Sequence, residues 1–234
     1  MQRVASSGRA LLMCTLLLLS QSSALRAADV VGTNGNDLLF FQGVVEQFNT
    51  ILTNPYTGET IAISDTYNVN AATYDGLGGT DTLLMTNVGD ALLLENDAGQ
   101  QTLFSIERIV AGDGRDIVNL ASTRFTLGNT FIDGGLADDI LWGNSGNDTI
   151  NGGPGNDRID GGPGDDIISG GDDDDTLDGG AGNDTVHGDA GNDLLIYNPS
   201  QNVDNTDIYD GGTGIDTLVL RLTAAQDDAY ALPL

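Results

Sequence analysis

A nine-residue repeat constrains the fold of this chain more than any other feature of its sequence. Seven blocks of nine residues follow one another without interruption from Gly134 to Ile196. Each block begins with Gly, has Asp at its sixth position and has an aliphatic residue at its eighth. The blocks read GGLADDILW, GNSGNDTIN, GGPGNDRID, GGPGDDIIS, GGDDDDTLD, GGAGNDTVH and GDAGNDLLI. A pattern that keeps its register over 63 residues indicates a solenoid of stacked coils.

The two parts of each block have different structural roles. The glycines of the first six residues give access to backbone angles that other residues reach only at a cost, which favours a tight turn. The last three residues form a short strand, in which position eight points inward and positions seven and nine point outward. Two blocks then complete a coil of 18 residues with a strand on each side. We therefore predict an all-β fold, a parallel β-roll (β-solenoid).

The charge of the repeats opposes folding. The chain has 35 acidic residues and 8 arginines, and the seven blocks alone hold 15 Asp and a single Arg, a net charge of −14. Carboxylates aligned from coil to coil lie about 4.8 Å apart. One buried aliphatic side chain per block contributes roughly 1.5–3 kcal/mol, whereas ordering the backbone costs roughly 1–2 kcal/mol per residue. We therefore expect a cation to be part of the fold, and we expect neither nucleic acid nor an anionic membrane surface as a partner.

The residue types favour calcium as that cation. Calcium takes six to eight oxygen ligands from carboxylates and backbone carbonyls, whereas magnesium prefers a stricter octahedron and retains water. Zinc and copper prefer nitrogen or sulfur. The only histidine is His187 and the only cysteine is Cys14, which lies in the predicted signal peptide described below. The sequence therefore predicts calcium as the metal.

The blocks resemble the nonapeptide G-G-x-G-x-D-x-U-x of the repeats-in-toxin (RTX, hemolysin-type) calcium-binding proteins. The resemblance implies a parallel β-roll with calcium between blocks that lie 18 residues apart on one edge. On this sequence it implies five sites, between blocks that begin at residues 134/152, 152/170, 170/188, 143/161 and 161/179. The metal-binding residues that it implies are Asp139, Asp148, Asp157, Asp166, Asp175, Asp184, Asp193, Gly143, Gly146, Gly152, Gly155, Gly161, Gly164, Gly179 and Gly182.

Two blocks depart from the family pattern at position four. Ala137 and Asp173 stand there in place of Gly, and a left-handed turn costs such residues about 1 kcal/mol or more. Both blocks belong to the same edge. We therefore expect weaker calcium sites on that edge than on the edge with the Gly143, Gly161 and Gly179 blocks.

The regions outside the strict repeats complete the expected organisation. Arg3 and Arg9 followed by the apolar run Ala10–Leu19 predict a secretory signal peptide. This run is too short to span a membrane, and no other stretch is long enough to do so. Degenerate repeats begin at Gly32, Gly76, Ala111 and Gly211. β-rich stretches are predicted between these repeats, over Thr60–Asn70, Leu83–Leu94, Leu103–Val110 and Phe125–Ile132. We expect four regions: a signal peptide at 1–28, an irregular β-solenoid-like region at 29–133, the calcium-binding β-roll at 134–196, and a terminal rung with a tail at 197–234.

These features favour an exported, non-enzymatic calcium-binding protein of bacterial type, secreted or associated with the cell surface. Acidic polysaccharide or other cell-surface material is the expected partner, and no residue is assigned a catalytic role. An alternative is a polysaccharide-modifying enzyme, similar to uronate lyases or epimerases. A further alternative is a truncated relative of a larger secreted enzyme or adhesin. The enzyme alternative depends on acidic and basic groups in the irregular region, namely Glu107, Arg108, Asp113, Arg115, Asp116 and Arg124.

Overall fold

The computed structural model describes residues 30–40, 43–58, 60–70, 73–94, 100–202 and 204–222, and the predicted signal peptide lies outside them. These residues form strands joined by turns, and none of them is helical. The strands in chain order are β1 Val30–Val31, β2 Leu38–Phe40, β3 Gly43–Thr53, β4 Thr60–Asn70, β5 Tyr74–Asp75, β6 Thr82–Leu84, β7 Asp90–Leu93, β8 Leu103–Phe104, β9 Arg108–Gly112, β10 Ile117–Asn119, β11 Phe131–Gly135, β12 Ile140–Trp142, β13 Thr149–Pro154, β14 Arg158–Asp160, β15 Ile167–Asp172, β16 Thr176–Asp178, β17 Thr185–Ala190, β18 Leu194–Tyr197, β19 Ile208–Asp210 and β20 Thr217–Leu220.

Two long sheets, parallel except where β3 pairs with β4, form the body of the molecule. One has nine strands in the order β20-β18-β16-β14-β12-β10-β7-β4-β3, and the other has eight in the order β19-β17-β15-β13-β11-β9-β6-β2. Within the strict repeats, each strand pairs in parallel with the strand 18 residues further on, as in the register Ile150↔Ile168 and Ile168↔Val186. The predicted all-β fold, a parallel β-roll, is confirmed.

The core is a seam of aliphatic side chains between the two sheets. Position eight of every strict block is buried, with at most 3% of the residue exposed. The seven residues are Leu141, Ile150, Ile159, Ile168, Leu177, Val186 and Leu195. The same buried cluster continues through the degenerate repeats to Val30, so one core extends along the described coils.

The first described coils have an additional side. Strands β1, β5 and β8 form a separate three-stranded parallel sheet, whose Tyr74 and Leu103 are fully buried. A coil such as β5-β6-β7 therefore has three strands, where a coil of the strict repeats has two. The longer spacing between degenerate repeats accommodates this third strand.

All four predicted β-rich stretches contain strand residues. Strand β4 coincides with Thr60–Asn70. Strands β6 and β7 overlap Leu83–Leu94, and β8 and β9 overlap Leu103–Val110. Of Phe125–Ile132, only the last two residues belong to a strand, β11.

A long antiparallel hairpin covers part of one outer face of the roll. Strands β3 and β4 pair with each other, and β4 joins the nine-stranded sheet beside β7. The part of the hairpin near its turn contributes Leu52 and Ile63 to a second apolar cluster with Ile117 and Trp142. Position nine points away from the inner core as expected, and Trp142 is nevertheless fully buried because the hairpin covers that outer face.

Candidate metal centre

Two lines of acidic side chains run along the edges of the roll. In each line, the backbone N–H of one residue donates to a side-chain carboxylate oxygen in the next coil, at 2.7–3.1 Å. The first carboxylate line consists of Asp90, Asp116, Asp139, Asp157, Asp175, Asp193 and Asp216. The second carboxylate line consists of Asp37, Asp81 and Glu107, then Thr130 at the equivalent position, then Asp148, Asp166, Asp184 and Asp207.

Most of these carboxylates have one buried oxygen without a hydrogen-bond donor. Oδ1 accepts the backbone N–H from the preceding coil, whereas Oδ2 has no hydrogen-bond partner. A buried carboxylate that lacks a partner is strongly destabilising, so this arrangement indicates a missing positive group. The Oδ2 atoms concerned belong to Asp81, Asp116, Asp139, Asp157, Asp166, Asp175, Asp184, Asp193 and Asp207.

Backbone carbonyls converge on the same places, because position one of the block has no side chain. A Cβ atom added at Gly152 would lie 2.2 Å from Asp157 Oδ2 and 2.5 Å from the Gly170 carbonyl oxygen. A Cβ atom added at Gly161 would lie 2.4 Å from Asp166 Oδ2 and 2.5 Å from the Gly179 carbonyl oxygen. The absence of a side chain therefore leaves a cradle of oxygens from two successive coils.

Position four brings further carbonyls towards the next coil. A Cβ atom added at Gly164 would lie 2.1 Å from the Gly146 carbonyl oxygen. Ala137 and Asp173 hold the same position with φ of 81° and 80°, so the left-handed turn expected at these two departures is confirmed. Among the described residues, no three carboxylate, imidazole or thiolate side chains converge on one point. A cation here would therefore take many of its ligands from the backbone, which suits calcium.

Burial strongly perturbs these carboxylates. Burial, together with neighbouring carboxylates, raises the pKa of Asp139 and Asp166 to about 9 and that of Asp175 to about 8. Burial also raises the pKa of Asp184 to about 7, although its oxygen accepts the Asp166 N–H, which acts in the opposite direction. Without a cation, several of these groups would be protonated at neutral pH. A bound divalent cation would compensate the cost of ionising them.

The structure places all seven predicted aspartates on the two lines. Asp139, Asp157, Asp175 and Asp193 lie on the first, and Asp148, Asp166 and Asp184 lie on the second. The predicted glycines at position one lie beside these carboxylates, and they are Gly143, Gly152, Gly161 and Gly179. Those at position four lie against the backbone of the preceding coil, and they are Gly146, Gly155, Gly164 and Gly182. Their role as metal ligands stays a prediction.

The predicted ligand set left out three aspartates of these lines whose Oδ2 has no partner. Asp81 and Asp116 are the sixth residues of degenerate repeats that the sequence does reveal, those that begin at Gly76 and Ala111. Asp207 follows Asp184 by 23 residues, so the insertion hides it from a search at a fixed period. Its signal is local: Asp207 is followed two residues later by Tyr209, at the apolar position eight.

The residues of the enzyme alternative occupy separate places. Glu107 and Asp116 belong to the second and first carboxylate lines respectively. The Arg108 guanidinium lies 3.9 Å from the centre of the Phe131 ring, and that of Arg124 lies 5.0 Å from the Phe125 ring. Arg115 donates to the Asp138 carbonyl oxygen. The guanidinium groups of Arg108 and Arg124 thus lie against aromatic rings.

Comparison with known families agrees with this geometry. Residues 126–159 and 160–195 match the RTX calcium-binding nonapeptide repeat (4 copies). Comparison with curated proteins gives no match. Within the part of the chain that the structure describes, no helix has the length and hydrophobicity to cross a membrane. Residues 126–195 therefore consist of RTX calcium-binding nonapeptide repeats folded as a parallel β-roll.

Proposed function

We propose that this chain is an exported structural or interaction protein that folds on binding about five calcium ions outside the cytoplasm. The observation that carries the proposal is the row of buried carboxylates whose Oδ2 atoms have no hydrogen-bond partner. These atoms recur on both edges of the roll at intervals of one coil. A polypeptide does not repeat so unfavourable an arrangement unless a ligand satisfies it.

The five proposed sites follow from pairs of blocks on the same edge. In every pair, the Asp of the later block has an Oδ2 without a hydrogen-bond partner, and this atom lies beside the position-one glycine of its own block. These residues are Asp157, Asp175 and Asp193 on the first edge, and Asp166 and Asp184 on the second. We assign the predicted aspartates and glycine carbonyls of the paired turns as the ligands.

The charge and energy of such sites suit a folding switch. Five calcium ions would bring a charge of +10 against the −14 of the strict repeats. Calcium at tenfold above a site's dissociation constant stabilises the fold by about 1.4 kcal/mol per site. Five sites together reach about 7 kcal/mol, which is comparable to the whole stability of an ordinary domain. In the low calcium of a cytoplasm, the chain would then remain unfolded.

Calcium also provides a route to a partner. Position five of the turns carries exposed acidic residues, among them Asp138, Asp165 and Asp174. Calcium bridging between these groups and an acidic polysaccharide or other cell-surface material is the interaction that we propose. Retention on polygalacturonate beads in calcium, but not in magnesium, would support it, and equal retention in both would oppose it.

Three measurements test the proposal. Far-ultraviolet circular dichroism in chelator and in millimolar calcium tests folding, and direct ion counting on the folded chain tests the number of sites. Mass spectrometry of the exported protein tests cleavage of residues 1–28. Activity on uronate polymers that Arg115→Ala abolishes without unfolding the chain would favour the enzyme alternative instead.

A further inference from the structure

One strict block differs from the other six at its carboxylate. In the block that begins at Gly143, Asp148 Oδ2 accepts hydrogen bonds from the Asn144 backbone N–H at 2.8 Å and from Asn144 Nδ2 at 3.1 Å. In the other six strict blocks, the corresponding Oδ2 atom has no partner. Asn144 stands at position two, where five of the other six blocks have Gly and the last has Asp189.

The Asn144 amide lies between two coils, in the kind of oxygen environment that a cation would take. Its Nδ2 donates to the Gly128 carbonyl oxygen at 2.8 Å, to Thr130 Oγ1 at 3.0 Å and to Asp148 Oδ1 at 3.1 Å. The orientation of the amide is fixed by its neighbours, because the Leu127 N–H can only donate and it points to Asn144 Oδ1. The side chain is fully buried. A neutral amide donor thus contacts oxygens from both coils.

The coil on the other side of this amide also lacks a negative charge. Thr130 occupies the place of the sixth-position Asp, and its N–H donates to Asp148 Oδ1. This interface therefore has one carboxylate where the interfaces between strict blocks have two. One carboxylate with a fixed donor needs no divalent cation to compensate it.

The same hydrogen-bond arrangement occurs at two other carboxylates of the lines, Asp90 and Asp37. The Thr86 backbone N–H and hydroxyl both donate to Asp90 Oδ2, at 2.6 and 2.7 Å. The Thr33 backbone N–H and hydroxyl donate to Asp37 Oδ2 in the same way. Thr33, Thr86 and Asn144 lack the positive φ that position two has in the blocks of Asp81 and Asp116 and in the six strict blocks with a partnerless Oδ2. Each of these carboxylates is followed, in the next coil of its line, by one whose Oδ2 has no partner: Asp81, Asp116 and Asp166.

We propose that the Asn144 amide replaces a calcium ion and closes the metal array of the strict repeats at its N-terminal end on the second edge. The inference rests on the proposed function, because it assumes that calcium occupies the interfaces with partnerless carboxylates. It assigns Asn144 as the residue that determines where ion binding begins in the strict repeats of the second line. By the same geometry, Thr33 caps the first carboxylate of the second line, Asp37, and Thr86 caps the first carboxylate of the first line, Asp90.

Asn144→Asp tests this inference, because it is isosteric and exchanges the donor for an acceptor. Asn147→Asp is the matched control, since it makes the same charge change at an exposed position of the same block. We expect the wild-type chain and Asn147→Asp to bind equal numbers of calcium ions in native mass spectrometry. Asn144→Asp should bind one more ion per chain and should need more calcium to fold.

A second variant covers the case in which Asn144→Asp does not fold. Thr130→Asp combined with Asn144→Gly gives positions two and six the residues found in the other blocks, and it should also gain one ion. A double variant that folds without the additional ion, or stays unfolded at saturating calcium, overturns the inference. If the wild-type chain itself binds no calcium, the proposed function fails; if it binds calcium and the double variant gains no ion, only the capping role of Asn144 fails.

Discussion

Replacing Asp166 by Asn should change stability in opposite directions with and without calcium. Asp166 is buried, its Oδ1 accepts the Asp148 N–H at 2.7 Å, and its Oδ2 has no partner. Asn keeps an acceptor for that N–H and removes the charge. The perturbation therefore separates the role of the carboxylate as a metal ligand from its role as a hydrogen-bond acceptor.

The two magnitudes follow from the site. Asp166 belongs to two of the proposed pairs, 143/161 and 161/179. At calcium tenfold above the dissociation constant, losing both sites would cost up to about 3 kcal/mol. In chelator, burial raises the pKa of Asp166 from 3.8 to about 9, so the folded chain must protonate it at neutral pH. That protonation costs about 4 kcal/mol at pH 7, and Asn removes the cost.

Denaturant unfolding in calcium measures the first effect, and far-ultraviolet circular dichroism in chelator, where the wild-type chain should be unfolded, measures the second. Asp165→Asn is the control, since Asp165 is the exposed neighbour and the charge change is the same. We expect the control to change the free energy of unfolding in calcium by about 0.5 kcal/mol or less and to leave the β content in chelator unchanged. Asp166→Asn should lower the free energy of unfolding in calcium and raise the β content in chelator. An unchanged free energy of unfolding in calcium would refute a metal-binding role for Asp166.

Three further predictions follow from the same geometry. In chelator, the β content should rise as the pH falls from about 9 to 4. Burial raises the pKa of groups such as Asp139, so their contribution to folding is complete below the unfolded pKa of 3.8 and is lost as the pH rises through about 9. A circular dichroism signal that does not change with pH would contradict this. Gly152→Ala should lower the free energy of unfolding in calcium by about 1–3 kcal/mol, because its Cβ would lie 2.2 Å from Asp157 Oδ2. The control Gly78→Ala should change that free energy little, because no atom lies nearer than 3.7 Å to the added Cβ. Equal losses of stability in the two variants would argue against the oxygen cradle. Trp142 fluorescence should shift to longer wavelength in chelator as the residue loses its cover, and unchanged emission would mean that the roll persists without calcium.

Most of the fold could be predicted from the repeat, because each position of the nine-residue period has a fixed place in the coil. A constant Asp at position six and an aliphatic residue at position eight specify the turn, the inward side chain and the coil of 18 residues. The burial of the side chain at position nine could not be predicted from the repeat. Whether its side chain is exposed depends on what covers the sheet, and the covering hairpin β3–β4 lies far away in sequence. Trp142 is buried for that reason.

The extent of the carboxylate lines was harder to predict than their existence. Insertions between coils move Asp207 out of the nine-residue register, and Glu107 substitutes for Asp in the second line. The closed carboxylate of Asp148 depends on a change at position two of its block. In the sequence, this change is visible only as Asn144 in place of the usual Gly. The structure shows that the Asn144 amide donates to the Asp148 carboxylate.

The central claim is that calcium completes this fold, and a calcium titration that counts ions while monitoring structure tests it most directly. Native mass spectrometry of the chain, combined with far-ultraviolet circular dichroism, should show a cooperative gain of β structure as about five calcium ions bind. Magnesium at the same ionic strength should not reproduce that gain. Equal β content in chelator and in millimolar calcium, or a folded chain without bound calcium at neutral pH, would contradict the account.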